Sequence, residues 1–229
     1  MSSTPIELDV GVAYRGVELP TVGVNGQSGQ DNFRIDLLVI DNENTRGSLS
    51  GDARRAMEQL VSNYAEPPIR VATLAPSGRP IVMQDGGPTA VQVSASHAGG
   101  LIVAACRPSC RNGQGIGVDL VDPASAGRGL DWWSEDTASV SKTNAERALL
   151  WAAREAAYKA AMVDVPFSPA KISVELIDDD RFGWRTGSPS GKVSGVGRFF
   201  RVDHFLLAVA VEVKWIYSRG IDQEAAPCS

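Results

Sequence analysis

IGVDLVD, residues 116–122, is the stretch on which the reading of this chain turns. Apart from its two aspartates it is an unbroken apolar run of strand length, and it echoes IDLLVID at 35–41. Each run is followed by a loop and then by apolar residues at helical spacing. After 35–41 comes DNENTRGSLSG, a loop by its Asn and Gly content. Ala53, Ala56, Met57, Leu60, Val61 and Tyr64 then predict an amphipathic helix over 52–65, stopped by Pro67-Pro68. After 116–122 a loop with Trp132 and Trp133 leads to AERALLWAAREAAYKAAM and a predicted helix over 144–162. Thr143-x-x-Glu146 opens it as a capping box, and Pro166 and Pro169 close it.

Outward from these two strand–helix units the pattern continues in parallel. Strands are predicted at IRVATLA (69–75), AVQVSAS (90–96) and LIVAAC (101–106), and again at KISVELI (171–177), RFFRV (198–202) and FLLAVAVEV (205–213). One further short strand is predicted within 7–14. Both halves thus read strand, loop, helix, three strands. The expectation is an α+β fold of two similar α+β subdomains related by a pseudo-twofold, with a cleft between them where a ligand would sit. The expected N-terminal half is 1–110, the C-terminal half 111–215, and 216–229 a disordered tail.

Composition narrows the function classes. The 229 residues carry 22 Lys and Arg against 27 Asp and Glu, a net charge of −5, which argues against a general nucleic-acid coat. It leaves room for one cationic pocket. No run approaches the roughly 18 apolar residues of a membrane span. MSSTPIELDVGVAYRG lacks a basic segment followed by an apolar core, so no secretory signal is expected. Cys106, Cys110 and Cys228 have no metal-ligand spacing with His97 or His204 and read as thiols of a reducing cytoplasm.

Four short segments could carry chemistry. Asp119 lies inside an apolar strand, where a carboxylate is costly unless it is paired, hydrogen-bonded or bound to a cation; otherwise it is a solvated strand-end residue. Alternation puts Asp119 on one face with Val121 and turns Asp122 away. Trp151, Glu155 and Lys159, at i, i+4 and i+8, form one stripe on the long helix. Glu155 before Lys159 is also the arrangement of an ordinary surface ion pair. His97 opens into Ala98-Gly99-Gly100, either as a turn residue or as a phosphate contact helped by Ser96 and nearby backbone N–H groups. Ser77-Gly78-Arg79-Pro80 reads as a turn that displays one cation suited to phosphate.

Taken in order, S-G-R-P (77–80), S-x-S-H-x-G-G (94–100), G-V-D-L-V (117–121) and W-A-A-R-E-A-A-Y-K-A (151–160) resemble the 4′-phosphopantetheinyl transferase superfamily. The resemblance covers roughly residues 35–213, and the length resembles the larger, Sfp-type group, whose single chain folds as a pseudodimer. It implies an enzyme that moves the phosphopantetheine arm of coenzyme A onto a serine of an acyl or peptidyl carrier protein, releasing 3′,5′-ADP. It further implies Asp119 and Glu155 as Mg²⁺ ligands, with Glu155 helping to deprotonate the serine and Lys159 meeting the pyrophosphate. Arg79, beside Pro80, with Ser96 and His97, would hold the 3′-phosphate and adenosine end.

The chain also departs from that pattern. Many members of the Sfp-type group have a second acid two residues after the strand Asp, where Val121 stands here. The basic segment near the first helix has no recognisable match; Arg46, Arg54 and Arg55 are the substitutes at hand. Arg154 stands where Lys is frequent. Val121 and the missing basic segment support a runner-up, a non-catalytic paralogue that binds coenzyme A or a carrier as a scaffold. A third reading, an unrelated α+β module with a surface Glu-Lys pair, predicts an exposed Asp119 and no cleft. Carrier proteins are usually acidic, so a basic rim is expected from among Arg154, Arg181, Arg185, Lys192, Arg198 and Arg201. The expected state is a cytoplasmic monomer that binds neither nucleic acid nor membrane.

Overall fold

The computed structural model describes residues 5–19, 33–41, 49–75, 77–108, 114–126, 143–162, 167–188 and 191–213. Arg46, Cys110, Trp132, Trp133, Pro166, Cys228, the side chain of Lys192 and the tail 216–229 lie outside the described residues. The elements in chain order are β1 (Ile6–Glu7), β2 (Ala13–Leu19), β3 (Phe33–Asp41), α1 (Leu49–Val61), β4 (Ile69–Leu74), β5 (Arg79–Gln84), β6 (Gly87–Pro88), β7 (Gln92–Ala98) and β8 (Leu101–Arg107). They continue as β9 (Ile116–Val121), the short α2 (Pro123–Ala126), α3 (Asn144–Ala161), a 3₁₀ turn at Pro169–Lys171, β10 (Ile172–Leu176), β11 (Arg181–Ser188), β12 (Gly191–Val202) and β13 (Phe205–Glu212).

The fold is α+β with mostly antiparallel sheets. One sheet runs β2-β3-β8-β7 and a small one β4-β5-β6; the largest runs β10-β11-β12-β13-β9, with β1 added in parallel beside β12. The expected three strands after each helix undercount the described ones. β5 begins within the predicted turn at Arg79-Pro80, and β11 was not anticipated. Arg79-Pro80 hid the first, since proline gives no N–H to a ladder. Gly183 and Gly187 diluted the apolar pattern of the second.

Inner strands of two of the sheets are buried on both faces, which is why β8 and β13 read as continuous apolar runs. Alternate residues go to different cores. Leu37, Val39, Val103 and Ala105 of one sheet pack against Val118, Leu120, Leu207 and Val209 of the other. The opposite face of the first sheet holds Leu38, Ile102 and Ala104 against Ala56, Met57 and Leu60 of α1. The opposite face of the second holds Ala208 and Ala210 against Ala152, Ala156 and Ala160 of α3. The molecule is therefore layered helix, sheet, sheet, helix, with one core shared between the sheets.

Candidate functional site

The close seat of α3 on β9 starts with glycine. A Cβ built at Gly117 would run into the Ala156 carbonyl oxygen, and one at Gly115 into that of Ala160. With alanines at 152, 153, 156, 157, 160 and 161 facing them, the helix lies directly on the strand. This gives the glycine of G-V-D a physical purpose: it lowers the helix until Lys159, which also holds Glu155, reaches Asp119. The helix is fixed at its N-terminus by the expected capping box. The Glu146 N–H donates to the Thr143 hydroxyl at 3.3 Å, and the Thr143 N–H donates to the Glu146 carboxylate at 2.7 Å.

Asp119 is 5% exposed, so the solvated strand-end alternative is excluded. Its Oδ1 accepts from Lys159 Nζ at 3.0 Å and from the Ser96 hydroxyl at 3.0 Å. Lys159 also reaches Glu155 Oε1 at 3.3 Å and donates to the Val118 carbonyl at 2.9 Å. An ammonium has three N–H donors, and these three oxygens engage them all. One cation therefore already bridges the two predicted carboxylates. Burial first, opposed by Lys159 and reinforced by Glu155, pushes the Asp119 carboxyl up from 3.8 to about 6. Burial pulls the Lys159 ammonium down, but Asp119 and Glu155 outweigh it and hold the group above its ordinary value.

Lys159 faces a cleft of about 380 Å³ whose walls come from both sides of the molecule. Arg54 of α1, Arg79 and Pro80 of β5, His97 of β7 and Tyr158 of α3 line it with Lys159. Asp119, Glu155 and Ser96 are not among its lining residues; Asp119 and Glu155 adjoin it through their contacts with Lys159. A buried Asp119 and a cleft both differ from what the third reading expects. His97 is exposed beside the Gly99-Gly100 reversal, whose φ angles of 53° and 88° suit a two-residue hairpin turn. His97 is thus a neighbour of the turn, and it also lines the cleft.

Two predicted anion contacts are otherwise engaged. Arg79 Nη1 donates to the Met162 carbonyl at 3.3 Å, capping the C-terminus of α3, while its Nε is buried without a hydrogen-bond partner. Ser96 accepts the Leu120 N–H at 3.1 Å while donating to Asp119. Of the substitutes for the absent basic segment, Arg54 reaches the cleft and Arg55 pairs with Asp52. Trp151 packs edge-on against Phe167 at 5.5 Å. The expected basic rim is largely matched by the chain's own acids: Arg181 pairs with Asp178, Arg185 with Glu175 at 3.7 Å and Arg198 with Asp180 at 2.6 Å. Arg201 is exposed on β12, and Arg154 is half-buried on α3.

Sequence reasoning missed Ser94, whose hydroxyl accepts the Val118 N–H at 3.1 Å. The alternation S-x-S facing V-D-L was the signal available for it. Among the described residues no group of three or more His, Cys, Asp or Glu gathers, so Val121 leaves a two-carboxylate arrangement. Mg²⁺ is commonly held by one or two carboxylates with phosphate oxygens and water, so the donor set fits that ion. Among the described residues no helix is long and apolar enough to cross a membrane. No family model matches the chain, and no curated protein matches it in sequence.

Proposed function

We propose that the chain is a Mg²⁺-dependent 4′-phosphopantetheinyl transferase of the Sfp-type group, a cytoplasmic monomer whose two halves form a pseudodimer. One observation carries the reading. A single ammonium, Lys159, touches Asp119 and Glu155 while facing a cleft that also presents Arg54, Arg79 and His97. Two carboxylates turned to one cationic centre beside an anion-attracting cleft match what the transfer of a pyrophosphate-linked group requires. The strand order supports the pseudodimer. In each half the strand before the helix pairs antiparallel with the last strand, β3 with β8 and β9 with β13.

In this reading coenzyme A enters the cleft with its phosphates toward Lys159, and Arg54, Arg79 and His97 attract its adenosine 3′-phosphate. Asp119 and Glu155 would hold Mg²⁺, which supplies neutralisation of charge on the leaving phosphate. The carrier serine oxygen forms a bond to the β-phosphorus, and the bond from that phosphorus to the bridging oxygen breaks. The serine proton passes to Glu155, directly or through water. The electron pair leaves on 3′,5′-ADP, where Lys159 meets it. Because all three donors of Lys159 are engaged, it reaches the pyrophosphate only by exchanging one of these contacts.

Incubation with coenzyme A, Mg²⁺ and apo-carrier should add the mass of one phosphopantetheine arm to the carrier. Absence of transfer to several acyl and peptidyl carriers, with a known enzyme succeeding alongside, would overturn the proposal. Val121 favours one second reading, a coenzyme A-binding scaffold without turnover. Calorimetry separates the two: tight coenzyme A binding that ignores Mg²⁺ supports the scaffold.

A further inference from the structure

We propose that Ser96 is a positioning residue for Asp119, tying the aspartate and its strand to the opposite sheet instead of gripping an anion. The inference rests on the reading of Asp119 as a carboxylate that holds a divalent cation. β7 ends one sheet and β9 ends the other, and side chains stitch these two edges together. Ser94 accepts the Val118 N–H and Ser96 accepts the Leu120 N–H, each at 3.1 Å. Alternate hydroxyls on β7 thus take alternate amides on β9, where a ladder would have used carbonyls.

The two serines differ in what their hydroxyls donate to, and Ser94 alone of the two lines the cleft. A hydroxyl that accepts still has one proton to give. Ser96 gives it to Asp119 Oδ1 at 3.0 Å. Among the described residues Ser94 donates to no carboxylate. In this arrangement the proton of Ser96 serves Asp119, and it would reach a phosphate only by giving up that bond. With its oxygen pinned by Leu120, the next residue along β9, its proton is aimed at one carboxylate oxygen. That bond fixes the carboxylate rotamer and favours its charged form. Partners that orient a metal-binding side chain typically carry 10–100-fold in metal affinity.

Ser94 is the control for the stitching alone, because it shares that contact and lacks the carboxylate one; since it lines the cleft, coenzyme A is held at saturation for each variant. The probe is Mn²⁺, titrated with coenzyme A present and followed by electron paramagnetic resonance. It is applied to wild type, Asp119→Asn, Ser94→Ala, Ser96→Ala and Ser96→Thr. Ser96→Ala should weaken Mn²⁺ binding by about tenfold or more. Ser94→Ala should stay within about twofold although both alanine variants lower the melting temperature alike, and Ser96→Thr should bind as wild type does. Ser96→Cys, which fills the space but donates weakly, carries the test if Ser96→Ala does not fold, and it should also weaken binding. Equal weakening by Ser94→Ala and Ser96→Ala, or wild-type affinity in Ser96→Cys, overturns the positioning role while leaving Asp119 as a ligand. Binding that Asp119→Asn does not alter overturns the reading of Asp119 itself, and the positioning role with it.

Discussion

Asp36 and Asp119 are the same residue in the same kind of place, yet only one of them stands at a site. Each lies in the strand that precedes a helix, and each is buried, at 2% and 5% exposure. Each points away from the core shared between the sheets, since Ile35 and Leu37, like Val118 and Leu120, take that core. Their surroundings then diverge. Asp119 meets Lys159 and Glu155 from α3. Asp36 takes the Gly16 N–H at 2.9 Å, faces Cys106 across the ladder and lies against Tyr64 just beyond α1. Its effect there is on neighbours: burial first and Asp36 second push the Cys106 thiol up to about 12. A buried aspartate by itself is thus no sign of chemistry. The helix laid over it decides.

The largest expected difference follows directly. Asp119→Ala and Glu155→Ala should each lower phosphopantetheine transfer by about 10²–10³-fold or more with circular dichroism unchanged. Asp36→Ala should leave turnover per folded molecule within about threefold and instead cost about 1–3 kcal/mol of stability through the lost backbone hydrogen bond. Mass-detected transfer beside chemical denaturation reads both. Full activity in Asp119→Ala would break the metal assignment, and a turnover loss in Asp36→Ala would break the asymmetry between the strands.

A smaller effect tests why the helices differ. Two residues before Asp119 stands Gly117, and two before Asp36 stands Arg34, an exposed side chain near Glu18. Only the second strand lets its helix descend onto it. Gly117→Ala should push α3 outward, costing about 1–3 kcal/mol as overpacking does. It should also lower transfer by about tenfold, because Glu155 and Lys159 move away from Asp119. A variant that loses stability without losing turnover per folded molecule would show that the close approach serves packing alone.

Legibility in the sequence followed the range of the forces involved. The two units, the capping box and the stripe of Glu155 and Lys159 were readable because local periodicity and caps are written within one helical turn or two strand positions. Asp119 was readable as a cost, an acid among aliphatics, and its pairing answered that cost. What stayed hidden depends on neighbours far along the chain. Arg79 looked like a loop-tip cation, but 83 positions later Met162 offers it a carbonyl. Neither Ser94 nor Ser96 signalled the stitching of the two sheet edges, because nothing local says that β7 lies against β9. The rim cations Arg181 and Arg198 were counted as charge, although Asp178 and Asp180 neutralise them where the strands meet.

The smallest effect is a slope with pH, and it isolates what α3 adds. In the metal-free protein the Asp119 carboxyl is held at about 6, above the ordinary 3.8. Burial is the first cause and Glu155 adds to it, while Lys159 opposes. The folded state thus keeps the proton more tightly than the unfolded chain does. Linkage then makes stability fall as pH rises from about 4 to about 6 and level off above, because the unfolded chain ionises first. Relative to Asp119→Asn, wild type should lose on the order of 1–3 kcal/mol across that interval, read as the difference between their melting curves in chelator. Glu155→Gln, by removing the reinforcing charge, should shrink that loss without reversing its sign. A difference that is flat, or that rises with pH, would mean that Lys159 outweighs burial and that Asp119 is stabilised as a carboxylate before any cation arrives.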